Sequence, residues 1–148
     1  MITSILIMAI SMAAFAYWFR YTCVLILNTR TTRDYSAEVA AANRLSFAGV
    51  QNLLQSSQTG DLDGMQRSLD RDFRLMSSLM RRAGAVNVGE IALEDILLRL
   101  DFQLMKLSYR VTRSFSEAKS RAALVEMSRI VEHFANAFGE RMATGAQA

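Results

Sequence analysis

From Ile2 to Phe19 the chain carries no charged side chain (ITSILIMAISMAAFAYWF), and beyond Arg20 a second uncharged run, YTCVLILN, extends the apolar character to Asn28. Eighteen or more such residues in one stretch form a helix long enough to cross a bilayer, because only a continuous helix satisfies its own backbone in hydrocarbon. The run opens Met-Ile-Thr-Ser without a basic residue and is longer than the apolar core of a secretory signal. It is therefore expected to remain attached, as a transmembrane anchor over residues 1–28. Basic residues follow the span and none precedes it. By the positive-inside rule this puts the N-terminus outside and the rest of the chain in the cytoplasm, as in a bacterial inner-membrane protein.

Arg20 admits two readings. In the first, Tyr17, Trp18 and Tyr21 form an aromatic belt at the headgroups, Arg20 snorkels among them, and Arg30 and Arg33 complete the interfacial anchors. In the second the span slides to residues 6–27, and a buried Arg20 requires an acidic partner in another subunit. Ala9, Ala13 and Ala16 form a small-residue face, and Cys23 has no second cysteine to pair with.

The pI of about 9.4 suggests nucleic acid only until the charges are placed. Removing Arg20, Arg30 and Arg33 from the 17 basic side chains leaves 14 beside 14 acidic ones, so residues 34–148 are neutral and no nucleic-acid partner is expected. Proline is absent and Ala, Leu, Arg, Met and Glu are abundant, which favours helix throughout. The expected class is all-α: a transmembrane helix, a basic connector over 29–33, an antiparallel four-helix bundle over 34–142 and a frayed tail over 143–148. Three helices ending in one long C-terminal helix is the alternative.

Periodicity places the helices. Asp34 caps a first one that runs to about residue 57, with Val39, Ala42, Leu45, Gly49 and Leu53 on one face. After SQTGD, Asp61 caps a second, carrying Leu62, Met65, Leu69, Phe73 or Asp72, Met76 and Leu79 or Met80 and stopping at Gly84 as a C′ residue. Asn87 and Glu90 have capping-box spacing and open a third, over 88–113. It has two apolar stripes: Leu93, Leu97, Leu100, Leu104, Leu107 and Val111, and Ile91, Leu98, Phe102, Met105 and Tyr109. Leu98 and Phe102 lie roughly 160° from Leu100, so this helix must be covered twice. Ser114 and Glu117 mark a turn before a last helix with Leu124, Met127, Val131, Phe134 and Phe138.

No motif for chemistry stands out. One histidine, His133, cannot build a di-iron site, and its helical phase sets it on the polar side. Asp61-Leu62-Asp63-Gly64 lacks the later ligands of a calcium loop and reads as a capped turn. Arg67, Arg71, Arg74, Arg81 and Arg82 alternate with Asp63, Asp70 and Asp72 as a solvated face. No enzyme activity and no cofactor are expected. The expected function is a single-pass, membrane-anchored interaction or scaffold subunit touching lipid and a protein partner or a second copy, with Ile91, Leu98, Phe102, Met105 and Tyr109 as the partner face. A membrane-tethered sensor or small-ligand-binding bundle is the alternative.

Overall fold

The computed structural model describes residues 1–29, 33–56, 60–86 and 93–147. Six helices account for nearly all of them: α1 (Ile2–Asn28), α2 (Ser36–Asn43), α3 (Phe47–Gln55), α4 (Leu62–Val86), α5 (Leu93–Thr112) and α6 (Glu117–Gln147). No strand occurs among the described residues. The last helix is the hub, in contact with all five others. That position explains its sequence, since Leu124, Met127, Ile130, Val131, Phe134 and Ala135 are wholly buried and occupy more than one face. Phe73 of α4 stacks on Phe102 of α5 at 3.8 Å between centroids and meets Phe134 of α6 edge-on at 5.8 Å, so three helices are joined by one aromatic cluster.

Four long helices were expected after the anchor, and the described residues hold five. The helix expected over 35–57 is broken at Arg44, whose φ of 52° is left-handed and whose follower, Leu45, donates its N–H back to Ala40 O at 2.9 Å. This helix end is usually made with glycine. Here Asp72, buried on α4, holds the restart by accepting the Ser46 N–H at the head of α3. The break rephases the segment. Phe47, Val50 and Leu54 face the core, while Ala42, Gly49 and Leu53, expected there, are exposed.

Other boundaries differ less. The residue at the cap of α2 is Tyr35 rather than Asp34, which sits one place earlier and accepts the Ser36 N–H at 2.8 Å. Helix α4 runs through Gly84 to Val86 rather than stopping there, and α6 reaches Gln147, so the tail expected to fray is helical to that point. The turn between α5 and α6 is present, with Ser116 rather than Ser114 as the residue before the helix. The Asn87 and Glu90 capping box lies outside the described residues.

Gly139 of α6 is fixed by packing. A methyl group there would run into the Tyr35 side chain and lie 3.2 Å from Val39 Cγ2, so glycine lets the start of α2 approach α6. Gly139→Ala is expected to lower stability by about 1–2 kcal/mol, the overpacking cost exceeding the gain in helix propensity. Thermal unfolding followed by circular dichroism measures this.

Candidate functional site

Helix α1 has two halves. Residues 1–18 are exposed on every side, whereas Phe19, Cys23 and Ile26, spaced four and three apart, are buried against the bundle. Cys23 Sγ lies 3.9 Å from Leu97 O, an approach to the α5 backbone that a larger residue would prevent. Among the described residues one helix is long and apolar enough to cross a membrane, and it is this one. Its exposure on every side ends at Trp18; beyond that point Phe19, Cys23 and Ile26 turn to the bundle while Tyr21, Val24 and Leu25 stay exposed on the outer face. Tyr17, Trp18 and Tyr21 are exposed around that junction. Arg33 lies beyond the helix, over the Tyr35 ring, and Arg30 is outside the described residues.

Arg20 sits at this junction, paired with acids of the bundle. Its guanidinium forks between two helices, Nη1 to Asp101 Oδ1 of α5 at 2.5 Å and Nη2 to Glu126 Oε2 of α6 at 2.7 Å. The buried reading of Arg20 is therefore the nearer one, corrected in one respect: its acidic partners belong to the same chain. Asp101 is fully buried, Glu126 keeps about a fifth of its side-chain surface and Arg20 about a third. Sequence reading missed both acids. The available signal was Asp101 itself, a lone charge between Leu100 and Phe102 in the most apolar stretch of the soluble part.

With every group ionised the triad has one negative charge too many, and Asp101 Oδ2 and Glu126 Oε1 are buried with no hydrogen-bond partner in the structure. Burial pushes the Asp101 carboxyl above the usual carboxylate range, against the pull of Arg20, and Glu126 adds to the rise. A proton on Asp101 turns its orphan oxygen into a donor and neutralises the site. The sign of the pH dependence follows. Because the folded-state value is raised, the contribution of Asp101 to stability is complete below its ordinary value of about 4 and is lost as pH rises through the raised one. Asp101→Asn, which keeps an acceptor for Arg20 and gains a donor, should remove this dependence. The wild type should lose stability relative to the variant as pH increases, as read from denaturant midpoints at several pH values.

The two stripes of α5 are reversed relative to expectation. Leu98 and Phe102 are fully buried, Tyr109 is 2% exposed and Met105 is half-buried, so the residues expected to meet a partner are core; Ile91 lies outside the described residues. The physical reason is α6, whose several apolar faces cover that side, with α4 closing over it. Tyr109 donates to Asp63 at 2.6 Å, its hydroxyl pushed up to about 12 by burial and by Asp63. Lys106 pairs with Asp70 at 2.6 Å. Exposed instead are Leu93 (69%), Leu100 (53%), Leu104 (44%), Leu107 (57%) and Val111 (55%), with Leu97 partly covered near Cys23. An open groove of about 430 Å³ between α4 and α5, lined by Phe73, Ser77, Ile96, Arg99 and Leu100 among others, adjoins this stripe.

Elsewhere the polar residues singled out from sequence serve structure. Asp63 binds Tyr109 and Arg113, tying α4 to the end of α5. Arg71 and Arg74 pair with Asp72 and Asp70. His133 is half-buried rather than exposed, its imidazole held below the usual range by burial, against Glu94 and Asp95. It lines a cleft of about 410 Å³ with Asn28, Asp34, Arg129, Glu132 and Asn136. No protein-family model, curated protein or solved structure matches the chain.

Proposed function

We propose that this chain is a membrane-anchored helical interaction protein, a subunit or adaptor of a membrane complex, in which residues 2–18 enter the bilayer and α5 offers its apolar stripe to a partner. The observation that supports this most is the exposure of Leu93, Leu100, Leu104, Leu107 and Val111 in one line on a domain whose remaining surface is charge-balanced and heavily ion-paired. A contiguous apolar patch of that length costs solubility unless something covers it. The segment from Ile2 to Trp18 is about 25 Å long, near the thickness of the hydrocarbon core, and the ion-paired Arg20 two residues on leaves no spacer. The bundle then lies directly against the headgroups.

A photo-activatable residue at Leu107 in membranes holding the full chain tests the reading. Adducts with protein are expected, and adducts with lipid alone would refute it. Arg30 and Arg33, beyond the span, supply the topology signal and favour a cytoplasmic domain. A cysteine at exposed Ser56 should then resist a membrane-impermeant thiol reagent in intact cells, and labelling there would reverse the orientation.

A second reading, a small-ligand-binding bundle, is favoured by the polar cleft around Arg129, Glu132, His133 and Asn136. Stabilisation that rises with the concentration of one compound in a metabolite panel would support it.

A further inference from the structure

We propose that the groove between α4 and α5 is a binding site for an amphiphilic oxyanion, a phosphate or carboxylate on an apolar body. Each wall is one helical face. Arg74, Ser77 and Arg81 recur at spacings of three and four on α4, and Ile96, Arg99, Leu100 and Gln103 share a face of α5. Toward the start of α4 the two helices are tied by Asp70 with Lys106 and Asp63 with Tyr109. Past the stacked rings of Phe73 and Phe102 these ties stop among the described residues, and the groove opens to about 430 Å³. That volume is in the range of small-ligand sites.

The polar groups of the groove are donors that lack acceptors. Arg99 is half-buried with its guanidinium over the Phe134 ring, 5.8 Å from the centroid, and its Nε is buried without a hydrogen-bond partner. Ser77 is 8% exposed, and its hydroxyl is unpartnered too. The hydroxyls of Ser78, Thr112, Ser128 and Thr144 instead donate to carbonyls three or four residues back, the usual resort of a helical hydroxyl. Arg81 is exposed, and neither it nor Arg99 pairs with an acid among the described residues. Arg74 shares Asp70 with Lys106, and no described Asp or Glu lines the groove.

A half-buried cation among further cations and an orphan hydroxyl is stabilised by a group that only accepts and carries negative charge. The guanidinium fork fits the paired oxygens of a carboxylate or phosphate. Phe73, Ile96 and Leu100 line the same groove and would stay uncovered under a bare inorganic ion, so the anion is expected to carry an apolar body. A membrane phospholipid and a free amphiphile both supply this chemistry. The α5 wall includes the helical turn of Asp101, whose partner Arg20 lies two residues past the proposed membrane segment, so headgroup phosphates are near. The site is separate from the cleft at His133 and from the stripe beyond Leu100, and it stands or falls apart from the readings proposed above.

Isothermal titration of the full chain in phosphatidylcholine nanodiscs, with empty discs as reference, tests this. Hexyl phosphate or hexanoate is expected to bind saturably and at least about tenfold more tightly than inorganic phosphate or hexanol, each of which supplies half of the chemistry. Arg81→Gln and Arg99→Gln should each weaken binding about tenfold. Ser77→Ala should weaken it about fivefold without lowering the melting temperature, because no hydrogen bond within the protein is lost. Gln103→Glu, at an exposed position, puts a carboxylate into the groove and should abolish binding in a chain that stays helical; it decides the matter even if an arginine variant unfolds. No saturable binding of either probe, equal affinity for inorganic phosphate, or affinity unchanged in the helical arginine and Gln103→Glu variants would overturn the proposal. Native mass spectrometry of the chain extracted from membranes containing phosphatidylglycerol separates the sources. Lipid retained by the wild type and lost from Gln103→Glu identifies a phospholipid, whereas hexyl phosphate binding with no retained lipid identifies a free amphiphile.

Discussion

Arg20→Leu is expected to lower the stability of the full chain by about 2–4 kcal/mol, the largest loss from any single change at the junction of α1 with the bundle. Removing one member of a buried ion pair strands the others, typically at about 3–5 kcal/mol. The partial exposure of Arg20 brings the figure down, whereas the complete burial of Asp101 keeps it high. Two carboxyls without a cation avoid the cost only by taking up protons, so the variant should regain stability as pH falls. The native Cys23, fully buried beside Arg20, reports the event. It should be inert to thiol reagents in the folded wild type and become reactive in the variant. Replacing Arg20, Asp101 and Glu126 together with apolar residues of similar volume should restore most of the loss, because such triads contribute position more than energy. Chemical denaturation in detergent and the rate of Cys23 labelling measure all three.

Opposite faces of α5 should respond very differently to truncation. Phe102→Ala removes a ring in contact with Phe73, in the cluster Phe73 shares with Phe134, and should cost about 3–5 kcal/mol, much of a small domain's stability. Leu104→Ala, two residues on, removes atoms that are already 44% exposed and should cost less than about 1 kcal/mol. Its effect should appear in association rather than in melting. A reversed order would mean that the face turned outward is the true core. Denaturant titrations of the two variants in parallel settle which face is which.

The helices were legible wherever period and breakers agreed. Met65, Leu69, Met76 and Met80 on α4, and Leu124, Met127, Val131 and Phe134 on α6, are buried as their spacing requires. The break at Arg44 was not legible, because it uses a left-handed arginine instead of glycine and is held by Asp72, distant in sequence. On α5 the pattern showed that both faces were apolar but not which one α6 would cover, since the two stripes differ little in composition. Arg20 was read as an anchor residue because its partners lie 81 and 106 positions away, and pairing over such separations leaves no local mark.

The account depends on α1 serving two solvents, lipid up to Trp18 and, along the face of Phe19, Cys23 and Ile26, protein beyond it, with Arg20 at the change. Nitroxide labels placed singly along α1 in bilayers, in a Cys23→Ala background, measure this directly through collisions with oxygen and with a water-soluble nickel chelate. Labels at Ile5, Met12 and Phe15 should be rich in oxygen contact and poor in nickel contact, while a label at Ile26 should be immobile and shielded from both. Nickel access at Ile5 to Phe15 would remove the membrane from the account, and a mobile, oxygen-exposed label at Ile26 would show that the whole helix is lipid-bound and the Arg20 triad unformed.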